Sequence, residues 1–176
     1  PETPADDAAL IAGPAEAKIK ARATAMATSI RLIHHAPGAP GLRWFGMGPG
    51  FRPTRGLLKL RRLFHKHAFW AQQRSDVDLR RMLRGSTVVV SLWRGRRMVG
   101  FGRATTDGIY RAVLWDIVVA GDLQGRGLGR QVLEALVDSP SLSKVERLYL
   151  MTTNSAGFYH QLGFKNVDQQ QLLIRT

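Results

Sequence analysis

The period of the apolar positions changes along the chain, and the changes divide it into elements. In "SIRLIHHA" (29–36) apolar and polar residues alternate, which predicts a first strand with one buried face. "PGAPGLRWFGMGPGFRPTRG" (37–56) has no period and is dense in Gly and Pro, so a long loop is expected there, with Trp44 and Phe45 embedded in it. Leu60, Leu63, Phe64 and Trp70 then fall at helical spacing with basic residues between them. Val77, Leu79, Met82 and Leu83 predict a second, shorter helix.

From Ser86 the pattern turns β-branched. "STVVVSLW" (86–93), "MVGFGRAT" (98–105) and "IYRAVLWDIVV" (109–119) are separated by the turn sequences "RGRR" and "TDG", an expected antiparallel meander. A helix from the glycines of "LQGRGLG" to Val137, a strand at 145–151, a helix through 155–162 and a closing pair of strands near 164–175 complete the expected order. The sum is an α+β (mixed α/β) fold with about six to seven strands and about four helices.

Composition narrows the class. The 176 residues suffice for one packed domain, which we expect over 26–176, with 1–25 a flexible tail or an extension remnant and Met26 a candidate natural start. The opening stretch lacks the charged-then-apolar pattern of a secretory signal, and no apolar run reaches the roughly 18–20 residues of a membrane span. With no cysteine, a disulfide scaffold, thiol catalysis and thiolate metal sites are excluded. The five histidines show no ligand spacing with carboxylates, so no metal is expected. A net charge of +13 calls for an anionic partner or for solvated helix faces at 59–67 and 74–84. Without interleaved aromatics or a known module, solvated faces are favoured and nucleic acid is disfavoured, while an acidic protein partner stays open.

The chemistry concentrates in "LQGRGLGRQVLEAL" (123–136), where three glycines precede a helix. Free backbone amides and the positive end of the helix dipole make such a place an anion site, and bare glycines let a phosphate approach the backbone. A tight strand-to-helix turn would use the same residues. No Lys-Ser or Lys-Thr follows as a P-loop requires, and the strand leading in belongs to a meander rather than a parallel dinucleotide-binding unit.

Gln124, Gly127 and Gly129, spaced Q-x-x-G-x-G, together with "NSAGFYHQLGF" (154–164), resemble the two signature segments of the Gcn5-related N-acetyltransferase (GNAT) superfamily. The resemblance covers roughly residues 29–175 and implies a central, mostly antiparallel sheet. "GFGRATTDGIYRAVLWDIVV" is similar to the plant plastid and cyanobacterial branch that includes serotonin N-acetyltransferases. "AGD" at 120–122 departs from that branch by a turn. The basic, glycine-rich front third departs where the family builds its acceptor pocket.

The resemblance implies acetyl-CoA as cosubstrate. It assigns Ile117, Val118 and Val119 to the pantetheine and Gln124, Gly125, Arg126, Gly127, Leu128, Gly129 and Arg130 to the pyrophosphate. Asn154 and Phe158 would face the cofactor with Tyr159, whose phenol is the expected general acid for the departing thiolate. Asp116 interrupts the apolar run "VLWDIVV" and is either the base or amine anchor, or a structural salt-bridge partner. His34 and His35 are weaker candidates for the base, at the end of the first strand.

The function so implied is direct acetyl transfer to a primary amine in a ternary complex, with an arylalkylamine acceptor favoured and a protein lysine or N-terminal amine as the alternative. A basic adaptor that merely binds CoA beside an acidic complex or nucleic acid is the reading from another class. A homodimer stays open, and the branch implies a cyanobacterial-type cytoplasm or the plastid stroma.

Overall fold

The computed structural model describes residues 29–175, so the expected tail at 1–25 lies outside the described residues. Among the described residues ten α-helices and strands follow one another: β1 Ile30–His35, α1 Pro40–Phe45, α2 Gly56–His67, α3 Asp76–Arg84, β2 Val88–Arg94, β3 Arg97–Thr106, β4 Arg111–Val119, α4 Leu128–Val137, β5 Arg147–Leu150 and α5 Ala156–His160. The strands form one sheet in the order β1-β2-β3-β4-β5. The first four run antiparallel, and β5 lies parallel to β4. That parallel step needs a crossover, which α4 supplies.

Two neighbouring residues of β3 show how the layers stack. Phe101 packs edge-on against Phe64 of α2, ring centroids 5.5 Å apart. At Gly102 an added Cβ would lie 2.6 Å from Val132 and 2.9 Å from Leu136 of α4. Consecutive strand residues point to opposite faces, so α2 covers one face and α4 the other. This explains why β2 and β3 read as nearly continuous apolar runs: they are buried on both sides.

Local signals account for several element ends. Ser75 caps α3, its Oγ accepting the Asp78 N–H at 3.1 Å. Asp107 Oδ1 accepts the N–H groups of Ile109, Tyr110 and Arg111, which fixes the β3–β4 turn. Residues 121–123 form a single 3-10 turn.

Two expectations are corrected. Five strands form among the described residues rather than six to seven, because the closing pair near 164–175 is absent. Gln169, Gln170 and Gln171 break that segment's alternation, and Leu172, Leu173 and Ile174 stay exposed. The front loop contains a short helix, α1, started by Pro40 and anchored by the fully buried Leu42. Its glycine and proline content hides that helix from a periodicity reading. Three helices, α2, α3 and α4, carry the main packing.

Candidate active site

The site begins with an irregularity in β4. Its pairing with β3 shifts between Phe101↔Val118 and Arg103↔Trp115, so Asp116 and Ile117 together face Gly102. This is a β-bulge, and Asp116 within it takes a left-handed conformation, φ 52°. Asp tolerates that conformation better than the β-branched residues around it. The bend separates β4 from β5. Their pairing runs from Arg111↔Arg147 to Leu114↔Leu150, and beyond Leu114 the strands diverge into a cleft.

Backbone polarity in the cleft follows from the ladder. Ala120 donates to the Val99 carbonyl at 2.8 Å. In an antiparallel pair the bonding direction alternates, so the N–H and C=O of Val119 turn away from β3, towards the cleft. There the Val119 carbonyl accepts the side-chain amide of Gln124 at 3.2 Å.

Two cavities meet at this point. The larger, about 630 Å³, extends from the cleft towards Phe69, Trp70 and Arg74. The smaller, about 450 Å³, is walled by Gly125, Gly127, Gly129, Arg130 and Phe158. Ile117, Val119, Gln124, Ser155 and Tyr159 line both.

The three glycines have separate reasons. Gly125 and Gly127 adopt positive φ, 73° and 76°, with open space where a Cβ would stand. At Gly129 a Cβ would come 3.2 Å from the Phe158 ring, so the missing side chain lets α5 pack on α4. The first bond of α4 runs from the Gln131 N–H to the Gly127 carbonyl, so the N–H groups of Leu128, Gly129 and Arg130 precede it. No side chain caps this end and no acidic residue lies in its first turn.

Tyr159 is half-buried at the junction, its ring edge-on to Phe158 and Phe164 at 5.0 and 6.0 Å. Burial pushes its phenol pKa up, so the hydroxyl keeps its proton at neutral pH. Asn154, also on the larger cavity, is exposed and accepts the Ser155 hydroxyl at 3.3 Å. Arg126 is exposed on the glycine loop, while Leu128 and Val118 are buried in the core.

The Asp116 carboxylate, 4% exposed, is held by three groups. Arg103 Nε donates to Oδ2 at 2.7 Å, Arg74 Nη1 lies 3.0 Å from the same oxygen, and Trp70 Nε1 donates to Oδ1 at 3.2 Å. Burial opposes ionisation, but the bond from Arg74 and the charge of Arg103 outweigh it, and the pKa lies below the usual carboxylate range. Trp70, Arg74 and Arg103 escaped the sequence reading. The signal for Arg103 was its place in "GFGRAT", on the strand neighbouring the acid.

The two histidine candidates lie elsewhere. His34 and His35 pair with Val90 and Val89 in β2, at the opposite edge of the sheet from β5. His35 Nε2 is 2.8 Å from Ser91 Oγ, which also accepts the Trp93 indole N–H at 2.8 Å. Burial and the neighbouring His34 lower the His35 pKa to about 4. Among the described residues no group of three or more His, Asp or Glu is arranged to hold a metal, and no helix is long and apolar enough to cross a membrane.

Comparison with known proteins adds a lineage. The acetyltransferase (GNAT) family profile matches residues 57–164. Serotonin N-acetyltransferase 2, chloroplastic, of Oryza sativa subsp. japonica is 42% identical over 98 residues, covering 52% of this chain and 48% of that protein. GCN5-related N-acetyltransferase 1, chloroplastic, of Arabidopsis thaliana is 31% identical over 116 residues, 64% of this chain and 59% of that one. The chain thus spans about half the length of these curated relatives. A GNAT-family acetyltransferase from Streptococcus pneumoniae superposes with a TM-score of 0.63 over 84% of this chain and 98% of that one, at 17% identity, a likeness of fold.

Proposed function

The chain belongs to the acetyltransferase (GNAT) family, and is an N-acetyltransferase; from that premise we propose that it moves an acetyl group to the primary amine of an arylalkylamine by direct attack in a ternary complex. The observation that carries this is the junction of the two cavities at Val119 and Tyr159. One cavity has the features of a pyrophosphate site and the other an aromatic wall.

Family membership implies acetyl-CoA as donor. The residues fit it: two glycines with positive φ and open space, an uncapped helix start without acidic neighbours, and a Val119 amide aimed into the cleft. Gln124 to Arg130 would hold the pyrophosphate, and Ile117, Val118 and Val119 the pantetheine. The bound cosubstrate supplies an activated thioester.

Phe69 and Trp70, 62% and 50% exposed at the larger cavity, offer flat apolar surface to an aromatic acceptor. Arg74 and Asp116 in that wall, with Arg103 bonded to the same carboxylate, sum to one positive charge, which disfavours an ammonium ion and favours the neutral amine that can attack. With three partners already placed, Asp116 acts better as a positioning residue than as a base. Tyr159 Oη keeps its proton and stands ready to deliver it to the leaving sulfur. The two chloroplastic relatives support a plastid or cyanobacterial-type setting.

Thiol release from acetyl-CoA, with serotonin, tryptamine and polyamines as parallel acceptors, tests the reading. Turnover with the indole amines well above that with polyamines is expected. Thiol release no faster than the acceptor-free background with every amine would overturn it.

A further inference from the structure

A groove of about 450 Å³ runs between α2 and the β2–β3 turn. Lys59, Arg62 and Lys66 stand three and four residues apart on α2 and so share one face, while Arg96 and Arg97 close the other side. Its floor is apolar, from the buried Leu63 and Met98. Arg97 is satisfied by Asp122 through two bonds of 2.7 Å. Among the described residues no carboxylate pairs with Lys59, Arg62, Lys66 or Arg96. Partial burial, then Arg96 and Arg62, lower the pKa of the Lys59 amine, a sign that these cations crowd one another.

Crowding unpaired cations costs free energy in the unliganded protein, and an anion seated among them relieves it. His67 belongs to the walls of both this groove and the larger active-site cavity. Whatever lies in the groove therefore borders the cavity that the reading above gives to the acceptor. The volume suits a few side chains. Trp93 at its edge is fully buried, under the Lys59 ammonium at 5.6 Å, and offers no face on which a base could stack. A strand of carboxylates with short methylene stems fits the apolar floor and the point charges better than a nucleic acid does.

We propose that this groove docks an acidic peptide segment, so that the protein acceptors of this enzyme are chains with Asp or Glu a few residues from the reacting amine. The inference rests on the acetyl-transfer reading above and adds a second acceptor class to it.

The test uses two peptides with one lysine each, identical except that Asp and Glu flank the lysine in one and Ser and Gln in the other. The expected result is at least about a tenfold higher kcat/KM for the acidic peptide at low salt, carried by KM. The ratio falls towards one at about 0.5 M salt and in the double variant Arg62→Ser/Arg96→Ser. Fluorescence anisotropy of the labelled acidic peptide, and of a single-stranded oligonucleotide of the same length, runs in parallel. Equal kcat/KM for both peptides, or a preference that survives in the double variant, overturns the proposal. So does tighter binding of the oligonucleotide that the double variant abolishes. If tryptamine is acetylated and neither peptide is, the docking inference fails while the reading of the site stands. If no amine is acetylated, that reading fails, and acidic-peptide binding that is lost in the double variant still upholds the groove.

Discussion

Trp70 donates its indole N–H to Asp116 across 3.2 Å, joining the segment after α2 to the bulge of β4, 46 residues away in sequence. The bond ties the aromatic wall of the acceptor cavity to the residue that bends β4 away from β5. Two arginines hold the same carboxylate, so the bulge, the cleft and the wall are set by one buried charge. Replacing Asp116 with Asn keeps the shape and leaves Arg74 and Arg103 without their counter-ion. Removing one partner of a buried ion pair costs about 3 kcal/mol, so D116N should lower the denaturant midpoint clearly. It should also reduce kcat/KM while leaving the shape of the pH–rate profile intact. If D116N instead removes a titration from that profile, Asp116 is the base after all.

Tyr159 makes the complementary case. Tyr159 lines both cavities, and burial pushes its phenol pKa up, so the hydroxyl stays protonated. Tyr159→Phe retains the ring and its edge-on contacts with Phe158 and Phe164. Loss of a positioned acid is worth about 10²-fold or more in rate. We expect kcat to fall by about that factor and the acetyl-CoA Kd, measured by calorimetry, to stay within about twofold. An unchanged kcat removes the acid from Tyr159.

The glycine spacing and the meander were legible in the sequence because each is local: neighbours in the chain carry the signal. The bulge was half legible. Asp116 stood out as a charge in an apolar run, but its partners come from three separate segments, at Trp70, Arg74 and Arg103. No periodicity links them. Pro40 and Leu42 form α1 inside a stretch whose glycines read as loop. The closing pair of strands expected near 164–175 does not form: the segment finds no sheet partner, and its apolar residues Leu172, Leu173 and Ile174 stay exposed.

Gly127 and Gly129 separate conformation from contact. Gly127→Ala forces a side chain into φ 76°, a strain of about 1 kcal/mol that the loop sheds by turning its amides elsewhere. Gly129→Ala has an ordinary backbone and instead pushes on the Phe158 ring, 3.2 Å away. Both should weaken acetyl-CoA binding by about fivefold or more. Trimming the ring with Phe158→Leu should restore part of the affinity of G129A and none of that of G127A. Recovery in both backgrounds removes the distinction.

The pH dependence of stability should carry the signature of His35, at the far edge of the sheet. Its folded pKa is about 4 against an unfolded value near 6.5. Between those values the unfolded chain binds a proton that the folded protein refuses. This contribution is therefore fully present above about pH 6.5 and is lost as the pH falls towards 4. Over that window it amounts to roughly 3 kcal/mol. Asp116 also has a lowered pKa, but as a carboxylate it loses its contribution only at more acidic pH, through its own folded pKa, so the two windows differ. His35→Gln removes the titrating ring and keeps a polar group near Ser91 Oγ. Urea midpoints measured from pH 7 to pH 4.5 should fall steeply for the parent protein and stay much flatter for H35Q. Parallel curves would place the acid sensitivity elsewhere and return His35 to a neutral packing role.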